Sequence, residues 1–325
     1  MSFVHLHTHT EYSLLDGSNK IKAYVKKCLD MGMTAAAITD HGNMYGVTKF
    51  YDECMAQGLK PIIGCEVYVA PGSRFDREMV KGEDRYYHLI LLAENDLGYH
   101  NLMKIVSVGY VEGFYYKPRV DFETIEKYHE GIICLSACLA GEVARALNRG
   151  DYEEAKKVAI QYRDCFGANN YFLEMQDHGI AEQQNVNQGL LRLSRETGIP
   201  LVATNDCHYT NKEDAYSHDV LLCIQTAARL DDVDRMRFET EEFYVKSEDE
   251  MLELFPYAKE AVYRTQEIAD RCNVEIQYHI AGLPPFAVPE GYNAWTYLNK
   301  ICFDGLKERY KEKASQYEER LTYIR

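Results

Sequence analysis

The sequence predicts an α/β fold built from repeated β/α units, followed by a mostly helical C-terminal part. Short apolar segments typical of buried strands alternate with helical patterns about seven times over roughly the first 210 residues. Five of these strands carry His, Asp or Cys at or just past their C-terminal ends, and such ends converge on one face of a closed barrel. A doubly wound sheet would spread these residues along a line, so a barrel is favoured if they share one site.

The composition is typical of a soluble globular protein. The chain has 325 residues, 46% of them hydrophobic and 27% charged, which is enough for one large domain and an appendage. It has no apolar run of about 18 residues and no signal peptide, so we expect a cytoplasmic protein without a membrane partner. Ten cysteines without a C-x-x-C pair indicate reduced thiols. The net charge of -15 argues against wrapping duplex DNA, but not against nucleic acid at a metal-lined pocket.

The first predicted strand covers residues 3–7 and begins the candidate site. Because side chains alternate along a strand, His5, His7 and His9 would project to one side. Two imidazoles separated by one residue, followed by a carboxylate at Asp16, can hold a metal ion. His5 lies deeper in the strand and is interpreted as a core histidine.

The next two predicted strands also carry ionisable residues. Residues 34–39 are small and apolar and lead into Asp40 and His41, and Asp40 is interpreted as a group that orients its neighbours. Residues 61–70 contain Glu66, which must be either a metal ligand or half of a buried ion pair. Helices are predicted beside these strands at residues 21–31 and 47–57.

Four further strands complete the alternation. His88 lies near the start of the first of them, and Cys138 lies just beyond the second. Asp206 and His208 follow the last strand two residues apart, so both side chains would point to the same side. These strands are predicted at residues 87–93, 131–136, 171–175 and 200–204, with helices at 96–106, 141–148, 151–166 and 182–197.

Beyond about residue 210 the pattern is mostly helical, with helices predicted at 212–227, 247–255 and 257–272. A proline-rich stretch at 282–291 is expected to lead into another unit. Apolar side chains from Trp295 to Tyr310 then fall on one helical face. The sequence stops inside a helical pattern, which indicates a piece of a longer polypeptide.

Nine of these residues are candidate metal ligands. They are too many for one tetrahedral ion, and three ions with Glu66 as a bridge would use them all. This mixture of imidazole, carboxylate and thiol ligands suits Zn, Mn or Fe, and the Cys138 thiol favours Zn. Clustered divalent ions activate water and stabilise phosphoryl oxygens, so hydrolysis of a phosphoester fits best. The nine residues are His7, His9, Asp16, His41, Glu66, His88, Cys138, Asp206 and His208.

Two other residues are candidates for substrate contacts. Arg119, with Lys117, lies in an aromatic and basic loop at 113–121, where it would bind a phosphate or be ordinary surface charge. His178 would protonate a leaving group or contact a phosphate, or be a hydrogen-bonded loop residue. The 26 tyrosines include candidates for stacking on unpaired bases, although packing roles fit most of them better.

These motifs resemble the polymerase and histidinol phosphatase (PHP) family, whose members carry H-x-H, T-D-H, a mid-chain Glu, later His or Cys ligands, and a closing D-x-H. The similarity is greatest to the members attached to bacterial replicative DNA polymerases. It extends from His5 to Tyr292 through HLHTHTEYSLLDG, AITDHGNMYG, PIIGCEVYV, HLILLAENDLGYHNL, GFYYKPRVD, LSACLAGEV, ATNDCHY and LPPFAVPEGY. The resemblance implies a distorted seven-stranded β/α barrel with three metal ions in residues 1–284, and the start of a polymerase module in residues 285–325.

The same resemblance implies a metal-dependent 3'-5' exonuclease that proofreads DNA. Its partners would be the 3' end of DNA, the rest of the polymerase polypeptide and other replisome subunits. The magnesium-binding aspartates of a polymerase site are not recognisable, so we expect no nucleotide addition. Two alternatives remain open: a catalytically silent docking module stabilised by metal, and a small-molecule phosphatase, against which the proline-rich stretch and trailing helix argue.

Overall fold

The computed structural model describes residues 2–78, 84–278 and 286–324. Contacts divide the chain into two compact units, Met1–Ile276 and Gln277–Arg325. The predicted boundary between residues 284 and 285 lies outside the described residues, so it remains a prediction.

In the described residues the first unit contains an eight-stranded mixed sheet. Its strand order is β4-β5-β2-β3-β6-β7-β8, and β1 pairs with the first half of β2. The predicted α/β class, a distorted barrel followed by a helical part, is confirmed. The strands are β1 (Ala35–Ile38), β2 (Lys60–Val69), β3 (Tyr87–Ala93), β4 (Phe114–Tyr115), β5 (Lys117–Val120), β6 (Ile132–Leu135), β7 (Tyr171–Met175) and β8 (Leu201–Ala203).

Strand β3 runs antiparallel to both of its neighbours, β2 and β6, whereas the sequence predicted only parallel β/α units. Parallel neighbours need a crossover connection, which is usually a helix. The connection between β2 and β3 contains no helix in the described residues, so β3 starts at the edge where β2 ends and runs in the opposite direction. The reversal has a direct consequence for the site. His88, near the start of β3, lies at the same edge as the C-terminal ends of the parallel strands.

The predicted opening strand at residues 3–7 is wrong, because this extended segment forms no ladder in the described part of the chain. Backbone amides of this segment donate to side chains instead of to a neighbouring strand. The amide of Val4, for example, donates to Thr265 Oγ1 at 3.0 Å. The following residues bridge the two ends of the sheet. The amide of His9 donates to the carbonyl of Cys207 at 2.8 Å, and the amide of Thr39 donates to the carbonyl of Thr8 at 3.0 Å. The segment therefore closes the barrel between β8 and β1.

The predicted loop at residues 113–121 contains a short hairpin formed by β4 and β5. Tyr116 turns the chain with a left-handed φ of 61°. Gly113 is required for the close approach of the strands, since a Cβ there would lie 1.7 Å from the carbonyl oxygen of Arg119. β5 continues the sheet beside the end of β2, where Arg119 is the register partner of Tyr68.

The two faces of the sheet bury different sets of apolar residues because strand side chains alternate. One face packs against the surrounding helices through residues such as Ile63 and Leu91. The inner face carries small and branched side chains, among them Ile62, Ile90 and Leu92. Glu66 lies four residues after Ile62 on β2 and so projects to the same inner face.

The helices around the sheet begin at recognisable caps, such as Asn95, whose side chain accepts from the amide of Gly98, and Ser247, which forms a capping box with Glu250. The helices of this unit are α1 (Ile21–Asp30), α2 (Val47–Gln57), α3 (Asp96–Val111), α4 (Phe122–Tyr128), α5 (Glu142–Asn148), α6 (Tyr152–Phe166), α7 (Ala181–Thr197), α8 (Ala215–Thr226), α9 (Glu248–Leu254) and α10 (Lys259–Arg271).

The second unit consists of α11 (Ala294–Tyr310), a 3-10 turn (Lys311–Lys313) and α12 (Ser315–Ile324). Asn293 and Thr296 form a capping box at the start of α11. Within the described residues, the helices are too short or too polar to cross a membrane.

Candidate metal centre

All nine predicted ligands lie together at one end of the inner face of the sheet. Five of them follow strand ends or lie in turns, and the antiparallel direction of β3 brings His88 to the same place. His7, His9 and Asp16 come from the closing segment and its turn, Glu66 and His88 from β2 and β3, and His41, Cys138, Asp206 and His208 from the loops after β1, β6 and β8.

The innermost contacts join the H-x-H motif to Glu66 and Asp206. His7 Nε2 lies 3.0 Å from Glu66 Oε2 and 3.1 Å from Asp206 Oδ1. His9 Nε2 lies 3.0 Å from the same Asp206 oxygen and 3.1 Å from His7 Nε2. Two imidazole nitrogens and two carboxylate oxygens thus point at one small volume. All four side chains are buried.

Glu66 has the geometry of a bridging carboxylate. Its Oε2 atom faces His7, whereas its Oε1 atom lies 2.6 Å from His41 Nδ1 and 2.9 Å from His88 Nδ1. Cys138 Sγ lies 3.7 Å from His88 Nδ1. The two oxygens of one carboxylate therefore serve two separate groups of ligand atoms.

A third group lies towards the turn that contains Asp16. Asp16 Oδ2 is 3.0 Å from His41 Nε2, and Asp16 Oδ1 is 3.9 Å from His208 Nε2. The imidazoles of His9 and His41 stack at 3.8 Å between centroids, with His208 at 4.5 Å from His9. In the described residues three sets have ligand atoms within 4.8 Å of one another: His9, His41 and His208; His7, His9 and Glu66; His41, Glu66 and His88.

Several buried atoms of this cluster lack a hydrogen bond of acceptable geometry within the described residues. They include Asp16 Oδ1, His41 Nε2 and Asp206 Oδ1. An unsatisfied buried polar group costs about 1–3 kcal/mol, so several in one cluster require a shared partner. Carboxylate, imidazole and thiol groups are the ligands of divalent transition metals. The residues therefore fit bound divalent ions.

The imidazoles in the cluster have pKa values shifted in opposite directions. Burial opposes protonation of His7, but the charge of Asp206 raises the pKa of His7 well above its ordinary value. Burial and the positive charge of His41 lower the pKa of His9 to about 3. Burial also opposes protonation of His41, but Glu66 raises the pKa of His41 to about 10. Protons thus compensate the carboxylates at some nitrogens and are excluded from others.

Burial alone would raise the pKa of each carboxyl group, but neighbouring imidazoles hold the pKa values of Glu66, Asp206 and Asp16 below their ordinary range. All three carboxylates therefore remain ionised, the buried Glu66 and Asp206 and the partly buried Asp16. Burial raises the pKa of the Cys138 thiol well above its ordinary value, with further contributions from Asp206 and Glu66. A divalent cation reverses such a preference by stabilising the thiolate.

Asp40 orients the residues around it, as the sequence indicated. Its carboxylate accepts hydrogen bonds from the amide of Thr10 at 2.6 Å and from Ser13 Oγ at 2.7 Å. Ser13 Oγ in turn lies 3.1 Å from His9 Nδ1. Asp40 thereby fixes the turn that presents His9 and Asp16.

Sequence reasoning missed two neighbours of the centre, Glu174 and His218. Glu174 Oε1 lies 2.7 Å from His7 Nδ1 and fixes the ring nitrogen that does not face the cluster. Its signal was available, because Glu174 is a carboxylate inside an apolar strand, as Glu66 is. His218, on α8, places its buried Nε2 atom 3.8 Å from Asp16 Oδ1, and no described residue gives that atom a hydrogen bond. Its helical context gave no such signal.

His5 and His178 both have hydrogen-bond partners within the protein. His5 uses both ring nitrogens, one with the carbonyl of Lys246 at 2.8 Å and one with Cys207 Sγ at 3.3 Å, as expected of a core histidine. His178 Nε2 lies 2.9 Å from the carbonyl of Asn205, and His178 Nδ1 lies 2.8 Å from Gln183 Nε2. This arrangement favours the hydrogen-bonded alternative for His178 over a contact with substrate.

Arg119 is buried, and its guanidinium donates to the carbonyls of Arg74 and Asp76. It also lies 5.0 Å from the ring of Tyr115. Lys117, on the same side of β5, is more accessible and has its ammonium 5.2 Å from the ring of Tyr68. Of the two cations predicted for phosphate binding, Lys117 is therefore the one available to a ligand.

Comparisons with known proteins agree with the motifs. The PHP domain family model matches residues 5–178. The chain is 47% identical over 324 residues to the DNA polymerase III subunit alpha of Treponema pallidum, and 42% identical over 325 residues to that of Thermus aquaticus. These matches cover 99% and 97% of this chain but only 28% and 27% of the two relatives. The chain thus spans little more than a quarter of their length.

Among solved structures, an amidohydrolase from Chromobacterium violaceum matches with a TM-score of 0.43 and 12% identity, over 64% of this chain and 88% of that chain. A two-domain protein from Bacteroides vulgatus, described as containing a PHP-like metal-dependent phosphoesterase, matches with a TM-score of 0.36 and 13% identity, over 64% and 52%. These similarities are too weak to bear on function.

Proposed function

The chain belongs to the PHP domain family, and from that premise we propose that it is a metal-dependent phosphoesterase that removes nucleotides from the 3' end of DNA as part of a replicative polymerase. The observation that carries the proposal is the position of Glu66 between two groups of imidazoles. A carboxylate with one oxygen in each group can bridge two ions. The relatives named as polymerase subunits supply the substrate, DNA, and the partner, the rest of a polymerase alpha subunit.

The nine predicted ligands would hold the ions. Because their ligand atoms form three groups, we propose three ions. Divalent ions in such a centre supply Lewis acidity, which activates water and neutralises charge on a phosphoryl group. The chain's own residues prepare this centre. Asp206, His7 and His9 hold three ligand atoms within about 3 Å of one another, so little reorganisation is needed on loading.

Groups behind the ligands fix their orientation. Glu174 holds His7 by its Nδ1 atom and leaves Nε2 directed at the cluster. Ser13, itself bonded to Asp40, holds the Nδ1 atom of His9 in the same way. Such contacts set the tautomer and direction of a ligating imidazole and raise its basicity.

The test is degradation of a 5'-labelled single-stranded oligonucleotide by metal-analysed protein in Mn or Zn. Wild type should shorten the strand from its 3' end, and Asp206→Asn should lose at least about a hundredfold in rate, because that residue contacts both imidazoles of the H-x-H motif. Asp164→Asn, which changes an exposed carboxylate on α6, is the matched control and should remain active. Metal-loaded wild type without products, or an equally active Asp206→Asn variant, would refute the proposal.

A structural role for the ions is the second candidate, and one observation favours it. His7 and His9 lie in the segment that closes the barrel without a strand ladder. Ions held by these residues would fasten the segment to Glu66 and Asp206 on the other side of the site. This candidate predicts strong metal dependence of the melting temperature without turnover.

A further inference from the structure

Beside the metal centre lies a row of exposed aromatic side chains, Tyr45, Tyr110 and Phe114, which we call the aromatic row. They are 56%, 38% and 53% exposed. Tyr45 Oη donates to Tyr110 Oη at 3.0 Å, and the ring centroids of Tyr45 and Tyr110 are 6.3 Å apart. Tyr110 and Phe114 are also 6.3 Å apart. Three adjacent exposed rings form an apolar surface of the kind that marks a binding site.

The aromatic row is fixed to the metal centre by short connections. The Asn43 side chain donates to the carbonyl of His41 at 2.9 Å and accepts from the amide of Tyr45 at 3.0 Å. Tyr45 is therefore held to the loop that presents the candidate ligand His41. On the other side, α3 packs closely on the β4–β5 hairpin, since a Cβ at Gly109 would lie 3.0 Å from the carbonyl oxygen of Pro118.

A cation lies close to the candidate ligands. The Lys117 ammonium lies 5.2 Å from the ring of Tyr68, and that ring is 6.4 Å from His41 and 5.3 Å from His88. In residues 2–78, 84–278 and 286–324, no carboxylate forms an ion pair with Lys117. Its charge is thus available to an anion that approaches the ligands from this side.

Rings that accept a stacked π-face, next to an unpaired cation, form the combination that binds single-stranded nucleic acid. Duplex DNA is disfavoured because its bases are already stacked and the chain has a net charge of -15. We propose that the aromatic row stacks on the unpaired bases next to a 3' end, while Lys117 contacts a phosphate and directs the end into the metal centre. This inference rests on the proposed function, which supplies the substrate class.

The test measures binding without turnover. A fluorescein-labelled oligo-dT with phosphorothioate linkages, which resist hydrolysis, is titrated with the metal-loaded full chain, and anisotropy gives Kd for wild type, Tyr45→Ala, Tyr45→Phe, Phe114→Ala and Phe114→Leu. Tyr45→Ala and Phe114→Ala should each weaken binding about tenfold, because the loss of one stacking ring removes most of the contact with a base. Tyr45→Phe keeps the ring and should bind as wild type does. Phe114→Leu keeps apolar area without the π-face and should behave as Phe114→Ala does.

Two further comparisons separate this inference from its alternatives. Tyr257→Ala, which removes an exposed tyrosine beside α10, should leave Kd unchanged. Lys117→Gln should weaken binding and reduce its salt dependence. Unchanged affinity in both ring-removing variants, equal losses for a duplex of the same length, or a change only in oligomeric state would overturn the inference.

Failure of the proposed function has a different signature. Hydrolysis of bis(p-nitrophenyl) phosphate by metal-loaded wild type reports on the centre alone. Its absence, together with ring-dependent binding of oligo-dT, would remove the exonuclease and leave the aromatic row as a strand-binding surface. Hydrolysis together with ring-independent binding would overturn the inference about the aromatic row and leave the proposed phosphoesterase standing.

Discussion

The two ends of the barrel interior are built on the same strands, yet different interactions stabilise them. At one end Ile62 lies in a cluster of buried apolar side chains. At the other end, four residues along β2 from Ile62, Glu66 lies among imidazoles and further carboxylates. The apolar end is complete without any ligand. The polar end buries charges whose mutual contacts leave several atoms unsatisfied.

The difference follows from physical chemistry rather than from the fold. Apolar side chains gain free energy on leaving water, about 25 cal/mol per Å² of buried area. Buried carboxylates lose free energy unless they are paired, and here the buried Glu66 and Asp206 and the partly buried Asp16 lie among one cluster of imidazoles. Divalent ions would supply the missing charge. Stability at the polar end should therefore depend on metal, whereas stability at the apolar end should not.

Removal of metal should have the largest effect on stability. Dialysis against a chelator leaves Glu66, Asp206 and Asp16 without a cation, and each ion lost should cost about 4 kcal/mol when its free concentration had been a thousandfold above Kd. Thermal unfolding before and after chelation, with metal added back, measures the change. In the Glu66→Gln variant the same treatment should shift the melting temperature much less. A chelated wild type that melts as the metal-loaded protein does would contradict the comparison.

Truncation of a side chain at the apolar end should have a similar or smaller effect that does not depend on metal. Ile62→Ala should cost about 2–5 kcal/mol, because it removes a fully buried side chain and leaves a cavity. Urea unfolding with and without chelator tests this. The losses from Ile62→Ala and from chelation should add, because Ile62 lies four residues along β2 from Glu66, a separation of about 13 Å. Strong coupling between them would show that the interior acts as one unit.

The polar end was the easier of the two to predict from sequence. The two-residue spacing of His7 with His9 and of Asp206 with His208 predicted that each pair shares a site, and each pair does lie together, although neither lies in a strand of the described residues. Glu66 stood out as a carboxylate in an apolar strand. The family resemblance then connected distant motifs, and the structure brings all nine residues together.

The parts that sequence did not predict depend on contacts between distant segments. The direction of β3 is set by its pairing with β2 and β6, and a sequence of alternating elements does not encode it. Residues 3–7 have the composition of a strand, but their neighbours are the side chains of Thr265 and Glu248 rather than another strand. His218 reaches Asp16 only because α8 folds back over the site.

The buried His178 should make the stability of the metal-free protein depend on pH. Burial lowers the pKa of His178 to about 4, and both of its ring nitrogens have partners in the protein. Its folded pKa is below the unfolded value of about 6.5, so the stabilising effect is complete above that pH and is lost as pH falls towards 4. The total loss should be about 3 kcal/mol. The metal-free protein should therefore lose more stability between pH 6.5 and 4 than metal-free His178→Gln does. Parallel pH dependences would show that His178 is not buried in the neutral form.

The smallest effect should come from Glu174, which contacts His7 from behind. Glu174→Gln keeps the size of the side chain but removes the charge that holds the Nδ1 atom of His7 at 2.7 Å. The amide can still accept a hydrogen bond through its oxygen, so the fold should be retained and metal affinity should fall by about 10–100-fold. Competition with a coloured chelator measures the affinity, and Glu182→Gln, an acidic residue in the first turn of α7, is the control. Unchanged metal affinity in Glu174→Gln would show that this contact does not orient His7, and the division between the two ends would then lie closer to the ligands.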